Sequence, residues 1–124
     1  MKNSNNEIRT VPLEENDKEF AKLYREEYSK LSEEDKLKVF RSIIRRQGNC
    51  GFANSGHIEY LLNTDNGNRY RVTLRTHWTQ GVDNGQFDQT IIIKAGERKL
   101  IACTDSGQIS VTHYNRQVVG ETLL

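Results

Sequence analysis

The stretch Arg69 to Trp78, RYRVTLRTHW, concentrates the side chains best suited to holding an anion. Successive residues of a strand point to opposite faces. One face then carries Tyr70, Val72, Leu74, Thr76 and Trp78, and the other Arg69, Arg71, Thr73, Arg75 and His77. Arg71 to His77 make a line of donors roughly 20 Å long. A guanidinium is a planar fork that matches phosphate oxygens. Trp78, Phe87 and Arg116 end or begin neighbouring apolar stretches, where bases or riboses could stack while arginines hold phosphates. The candidate ligand-binding set is therefore Arg71, Thr73, Arg75, His77, Trp78, Phe87 and Arg116, with Arg71, Arg75 and His77 as the clamp. The structural alternative is a solvated face whose arginines pair with an acidic helix.

Other chemistries have weaker support. His57, His77 and His113 show no HxxxH or HExxH spacing, so no metal or cofactor is expected. His77 opens HWT, the His-x-Thr form that two-histidine phosphoesterases use twice, one imidazole as base and the other as acid. The second copy is HYN, His113 to Asn115, in which an amide replaces the hydroxyl. Cys50 follows a presumed helix C-terminus, the wrong end to stabilise a thiolate. GNCGFANSG around it lacks GxxxxGK[ST] and reads as a connector, although backbone N–H groups there could touch an anion.

The chain has 124 residues, 28% charged, and a net charge of +1. That length suits one domain, 1–124. Residues 1–35 are net −4, 36–78 net +6 and 79–124 net −1. A near-neutral total disfavours long duplex nucleic acid and suits a small nucleotide-like anion. No apolar run reaches a membrane span of about 20 residues, and the N-terminus has no apolar core of a signal peptide. Cys50 and Cys103 read as reduced thiols of a cytosolic protein.

Residues 1–15 read as a polar arm. Phe20, Leu23, Tyr24, Tyr28 and Leu31 recur at helical spacing, with Asn16 or Asp17 as N-cap. Ser32 caps a second helix with Leu37, Phe40, Ile43, Ile44 and Gln47 on one face and Gly48 at its end. Residues 16–48 thus predict a helical hairpin. HIEYLLN, RYRVTLRTHW, QTIIIKA, RKLIACT and QISVTHY predict five strands, and RQVVGE a short sixth. TDNGN reads as a hairpin turn and TQGVDNGQFD as a polar loop of about ten residues. The expected fold is α+β, with an antiparallel meander over 57–120.

The helical segment NDKEFAKLYREEYSKLSEEDKLKVFRSIIRRQG, followed by RYRVTLRTHW through LIACTDSGQISVTHYNRQVV, resembles the phage anti-Thoeris sponge family in architecture, size and character. The resemblance implies a phage protein that sequesters cyclic nucleotide or cyclic ADP-ribose immune signals without cleaving them. No family site residue transfers onto this chain. The alternatives are a protein–protein inhibitor of a bacterial defence system and a two-histidine phosphodiesterase using His77 and His113. Two open sheet edges, together with Tyr24 and Tyr28, predict a homodimer.

Overall fold

A computed structural model describes residues 8–50, 56–107 and 110–124. Most of GNCGFANSG, the first seven residues of the polar arm and the start of QISVTHY lie outside the described residues. The fold is α+β, with two helices and eight strands in two antiparallel sheets. The strands are β1 (Arg9–Val11), β2 (Ser42–Asn49), β3 (His57–Asn63), β4 (Tyr70–Gln80), β5 (Asp83–Ile93), β6 (Arg98–Cys103), β7 (Asp105–Ser106) and β8 (Thr112–Leu123). The first sheet has the order β1-β6-β3-β2 and the second β5-β4-β8-β7. The sheets face each other, and α1 (Glu15–Ser29) covers the far side of the first.

The core lies between the sheets. Leu61 of β3 and Ile101 of β6 meet Tyr70, Val72 and Leu74 of β4 and Ile91 and Ile93 of β5. Leu61, Val72, Leu74 and Ile93 are fully buried. Each such side chain contributes about 1.5–3 kcal/mol by leaving water. The alternation expected for β4 holds along its whole length: Tyr70, Val72, Leu74 and Thr76 are buried, whereas Arg71 and His77 are exposed.

Four expectations need correction. First, the second helix, α2, spans only Glu33–Lys36, so there is no hairpin over 16–48. Residues 42–46 pair with 59–63 as β2 on β3. β-branched Ile43 and Ile44 favour that state. Both faces of β2 are covered, so the stretch lacks the period of two that marks a half-exposed strand. Second, TDNGN is no hairpin, because β3 and β4 belong to different sheets. It is a corner built on buried Asn63, whose amide donates to the carbonyls of Asn68 (2.9 Å) and Lys94 (3.0 Å). Third, TQGVDNGQFD is mostly strand. Gln80 pairs with Asp83 around Gly81-Val82. Gly81 at φ +61° gives the positive first central position of a two-residue hairpin turn. Fourth, β1 lies within the presumed arm and pairs with β6. The strands thus form two sheets rather than one meander.

The helix docks through charge as well as apolar contact. Asp17 is fully buried at its N-terminal turn and accepts the Glu14 N–H at 2.9 Å. The same carboxylate takes Arg45 at 3.2 Å and Arg98 at 2.9 Å. The Arg45 guanidinium lies 4.3 Å from the Phe20 ring centre, and that of Arg41 lies 4.0 Å from Tyr28.

Candidate functional site

The acidic helix neutralises Arg45 and Arg98 on the first sheet; Arg46 pairs with buried Glu59 at 3.1 Å. No described element lies over the outer face of the second sheet. That face carries Arg71, Thr73, Arg75, His77 and Thr79 from β4. Strand register places Asn84, Gln86, Asp88, Thr90 and Ile92 of β5 on one side of them. His113, Asn115 and Gln117 of β8 stand on the other. Nearly every group there can donate or accept a hydrogen bond, and most are exposed.

Within the face, the arginines differ. Arg75 grips Asp88 directly across the strands, Nε to Oδ1 at 2.9 Å and Nη2 to Oδ2 at 3.2 Å. The hydrogen bond from Arg75 holds the Asp88 carboxyl below its ordinary range, and the same bond raises the guanidinium. Arg71, opposite Ile92 and Thr122, has no ion-pair partner among the described residues. It is the free cation of the row.

The two histidine tripeptides come together. β4 and β8 run antiparallel, with His77 opposite Asn115 and Thr79 opposite His113. The four side chains form a square on the outer face, with the imidazoles on one diagonal. Diagonal neighbours of this kind stand about 7–8 Å apart. Each ring is oriented by a second group. His113 Nδ1 meets Asp105 Oδ1 at 2.9 Å, and His77 Nε2 meets the Gln86 amide oxygen. His113 Nε2 and His77 Nδ1 make no hydrogen bond among the described residues.

The other candidates do not join this row. Trp78, Phe87 and Arg116 lie on the inner face, through the sheet from Arg71, Arg75 and His77. A clamp of those cations with Trp78 or Phe87 as its stacking surface is therefore not assembled on one face. Trp78 lies over Gly85, where an added Cβ would meet the indole at 2.7 Å. The Arg116 side chain is only 6% exposed, and its Nη1 donates to Glu59 and to the Cys103 carbonyl, each at 2.9 Å. Sequence reasoning missed Gln86, Asp88 and Asp105. The signal for the first two was present: recognising Gly81-Val82 as a tight turn fixes which β5 residue faces each β4 residue.

Cys50 and Cys103 are joined in a disulfide, which corrects the expectation of free thiols. The bridge links the end of β2 to the end of β6 past the start of β3. Among the described residues, no group of His, Cys, Asp and Glu side chains is arranged to hold a metal ion, and no helix is long and apolar enough to cross a membrane. Compared with protein-family models, curated proteins and solved structures, the chain matches none.

Proposed function

We propose that this protein is a non-catalytic binding protein that sequesters a small phosphate-containing ligand on the outer face of the second sheet. The supporting observation is the row from Arg71 to His77, which no described element covers, extended across the strands by His113, Asn115 and Gln117. Arg71 supplies an unpaired fork for phosphate oxygens. Arg75 joins it when an anion competes with Asp88. Thr73, Thr79 and Asn115 donate to the remaining oxygens. In this reading the ligand is a cyclic nucleotide or cyclic ADP-ribose signal, the class that the resemblance drawn from the sequence implies. β5 is a long edge strand whose second side is open to a second copy, so a homodimer belongs to the same proposal. Cytosolic action belongs to it as well. That location requires the Cys50–Cys103 bond to be dispensable, because the cytosol keeps thiols reduced.

One observation favours a second reading. The His77, Thr79, His113 and Asn115 square presents two oriented imidazoles on one face. Such a pair could cleave a phosphodiester: one imidazole takes the proton of water, the oxygen attacks phosphorus, and the other imidazole protonates the departing oxygen. The deciding experiment incubates the protein with cyclic ADP-ribose or a cyclic dinucleotide, removes free ligand, heat-denatures the protein and identifies what is released. Intact ligand supports sequestration, and linear product supports the phosphodiesterase. Absence of retention overturns both and leaves the protein–protein inhibitor.

A further inference from the structure

The inner face of the second sheet opens away from the core at its far end. Val72 and Leu74 are fully buried, but two residues further along β4 the apolar packing stops. A cleft of about 390 Å³ begins there, between the end of β6 and the facing parts of β5 and β8. Ile101 and Ala102 of the first sheet form one wall, with Ile8 beside them. Phe87, Tyr114 and Arg116 of the second sheet form the other. This site is separate from the outer face, because the thickness of the sheet lies between them.

Two features of the cleft are unexplained by the fold. Phe87 is on the inner face, yet 44% of it is exposed among the described residues. Arg116 spends only Nη1 on Glu59 and Cys103, and its Nε and Nη2 make no hydrogen bond among the described residues. Its guanidinium also lies 5.0 Å from the Tyr114 ring centre. Glu59 is one carboxylate shared by two guanidiniums, Arg46 and Arg116.

We infer that this cleft binds a planar heteroaromatic ring of nucleobase size, presenting hydrogen-bond acceptors at its edge. The flat aliphatic wall and the open face of Phe87 match the two faces of a ring. A volume of this size lies within the range of small-molecule pockets, about 300–1,000 Å³. Nε and Nη2 of Arg116, which lines the cleft, meet the ring edge. The Ser106 and Tyr114 hydroxyls, 3.1 Å apart, bound the far side and favour a polar substituent there.

Adenine is a direct probe, read by amide chemical-shift changes of the full-length protein at up to millimolar concentration. The expected result is a saturable response confined to Phe87, Cys103, Tyr114 and Arg116. Phe87→Ala removes an exposed ring and leaves the core intact; it should abolish the response. Thr76→Val alters a fully buried hydroxyl outside the cleft's lining and should leave adenine binding unchanged. Inorganic phosphate, titrated separately, reports on the outer face and isolates failure there from failure here. No saturable response, shifts outside the cleft, or unchanged binding in Phe87→Ala overturns the inference.

Discussion

Arg75 and Asp88 form a two-pronged pair across β4 and β5, with Nε to Oδ1 at 2.9 Å and Nη2 to Oδ2 at 3.2 Å. The pair lies on the exposed outer face, where solvent screens it, so it adds little to stability. Its effect is on the face: a carboxylate occupies the fork that an incoming phosphate needs. Asp88→Asn removes the competing charge and keeps the shape. We expect the melting temperature to stay nearly constant and the affinity for inorganic pyrophosphate to rise several-fold, measured by calorimetry. A loss of affinity would show that Asp88 positions Arg75 for the ligand.

Arg71 gives the complementary test. Arg71→Ala should weaken pyrophosphate by about tenfold or more, the scale of a charge-assisted hydrogen bond. Leu74→Ala, one face away, should instead destabilise the fold by about 2–5 kcal/mol. Binding should then fail only as the protein unfolds. Thermal melting and calorimetry on both variants separate the two faces. An Arg71 variant that melts far below wild type sinks the assignment of Arg71 to binding.

The inward and outward residues of β4 were legible because one face meets the core and the other meets solvent, which produces strict alternation. β2 was not, because α1 covers one of its faces and the second sheet the other. Its apolar residues fit a helical spacing equally well. The division into two sheets was also hidden. It depends on pairings such as Arg9 with Leu100, and local pattern does not encode contacts so distant in sequence. The site was half legible. Arg71, Arg75 and His77 follow from alternation alone. Their separation from Trp78, Phe87 and Arg116 follows from the same alternation, carried across the register to β5 and β8. Asp17 and Glu59 were unreadable as buried residues, since lone acidic residues usually mark the surface.

Glu59 is only 1% exposed and accepts from Arg116 at 2.9 Å and Arg46 at 3.1 Å. Removing one partner of a buried pair leaves the other uncompensated. Glu59→Ala strands the buried Arg116 and should cost about 3–5 kcal/mol in urea unfolding. Arg46→Ala touches the exposed partner and should cost at most about 1 kcal/mol. Equal losses in the two variants would show that Arg116 does not depend on Glu59.

Stability should fall at both ends of the pH scale. Burial opposes ionisation of Asp65, but hydrogen bonds from the Tyr70 hydroxyl, the Gly67 N–H and the Asn68 amide, with the charge of Arg41, outweigh it and lower its pKa. Glu97 is also lowered: burial again opposes, and bonds from Lys94 N–H and Thr10 with the Lys99 charge prevail. A depressed carboxyl stabilises the fold above its unfolded value, about 4. That contribution is lost as pH falls through the folded value. Tyr70 is raised by burial and by its bond to Asp65, so the folded state favours the neutral phenol. Its contribution is present below about pH 10 and lost as pH rises through the folded value. Melting followed across pH should therefore show a plateau with two falling limbs. Asp65→Asn should flatten the acid limb; an unchanged acid limb counts against the assignment.

The Cys50–Cys103 bridge encloses β3 to β6, a sequence separation of 53 residues. On the chain-entropy model, closing a loop of that length in the unfolded state is worth about 4 kcal/mol. For a domain of this size the melting temperature should drop on the order of 10–20 °C on reduction. The comparison uses wild type with and without dithiothreitol and the Cys50→Ser, Cys103→Ser double variant. Reduced wild type and the double variant should melt together, both below the oxidised protein. Phosphate binding should persist in all three below their melting points, because Arg71 and Arg75 lie on β4, away from the strands that the bridge joins; only the His113 end, through the Asp105 N–H to Cys103 Sγ at 3.3 Å, adjoins the bridge. Thiol titration of the denatured, unreduced protein should find no free thiol. Two free thiols, together with melting that ignores the reductant, would show that the chain folds without the bond.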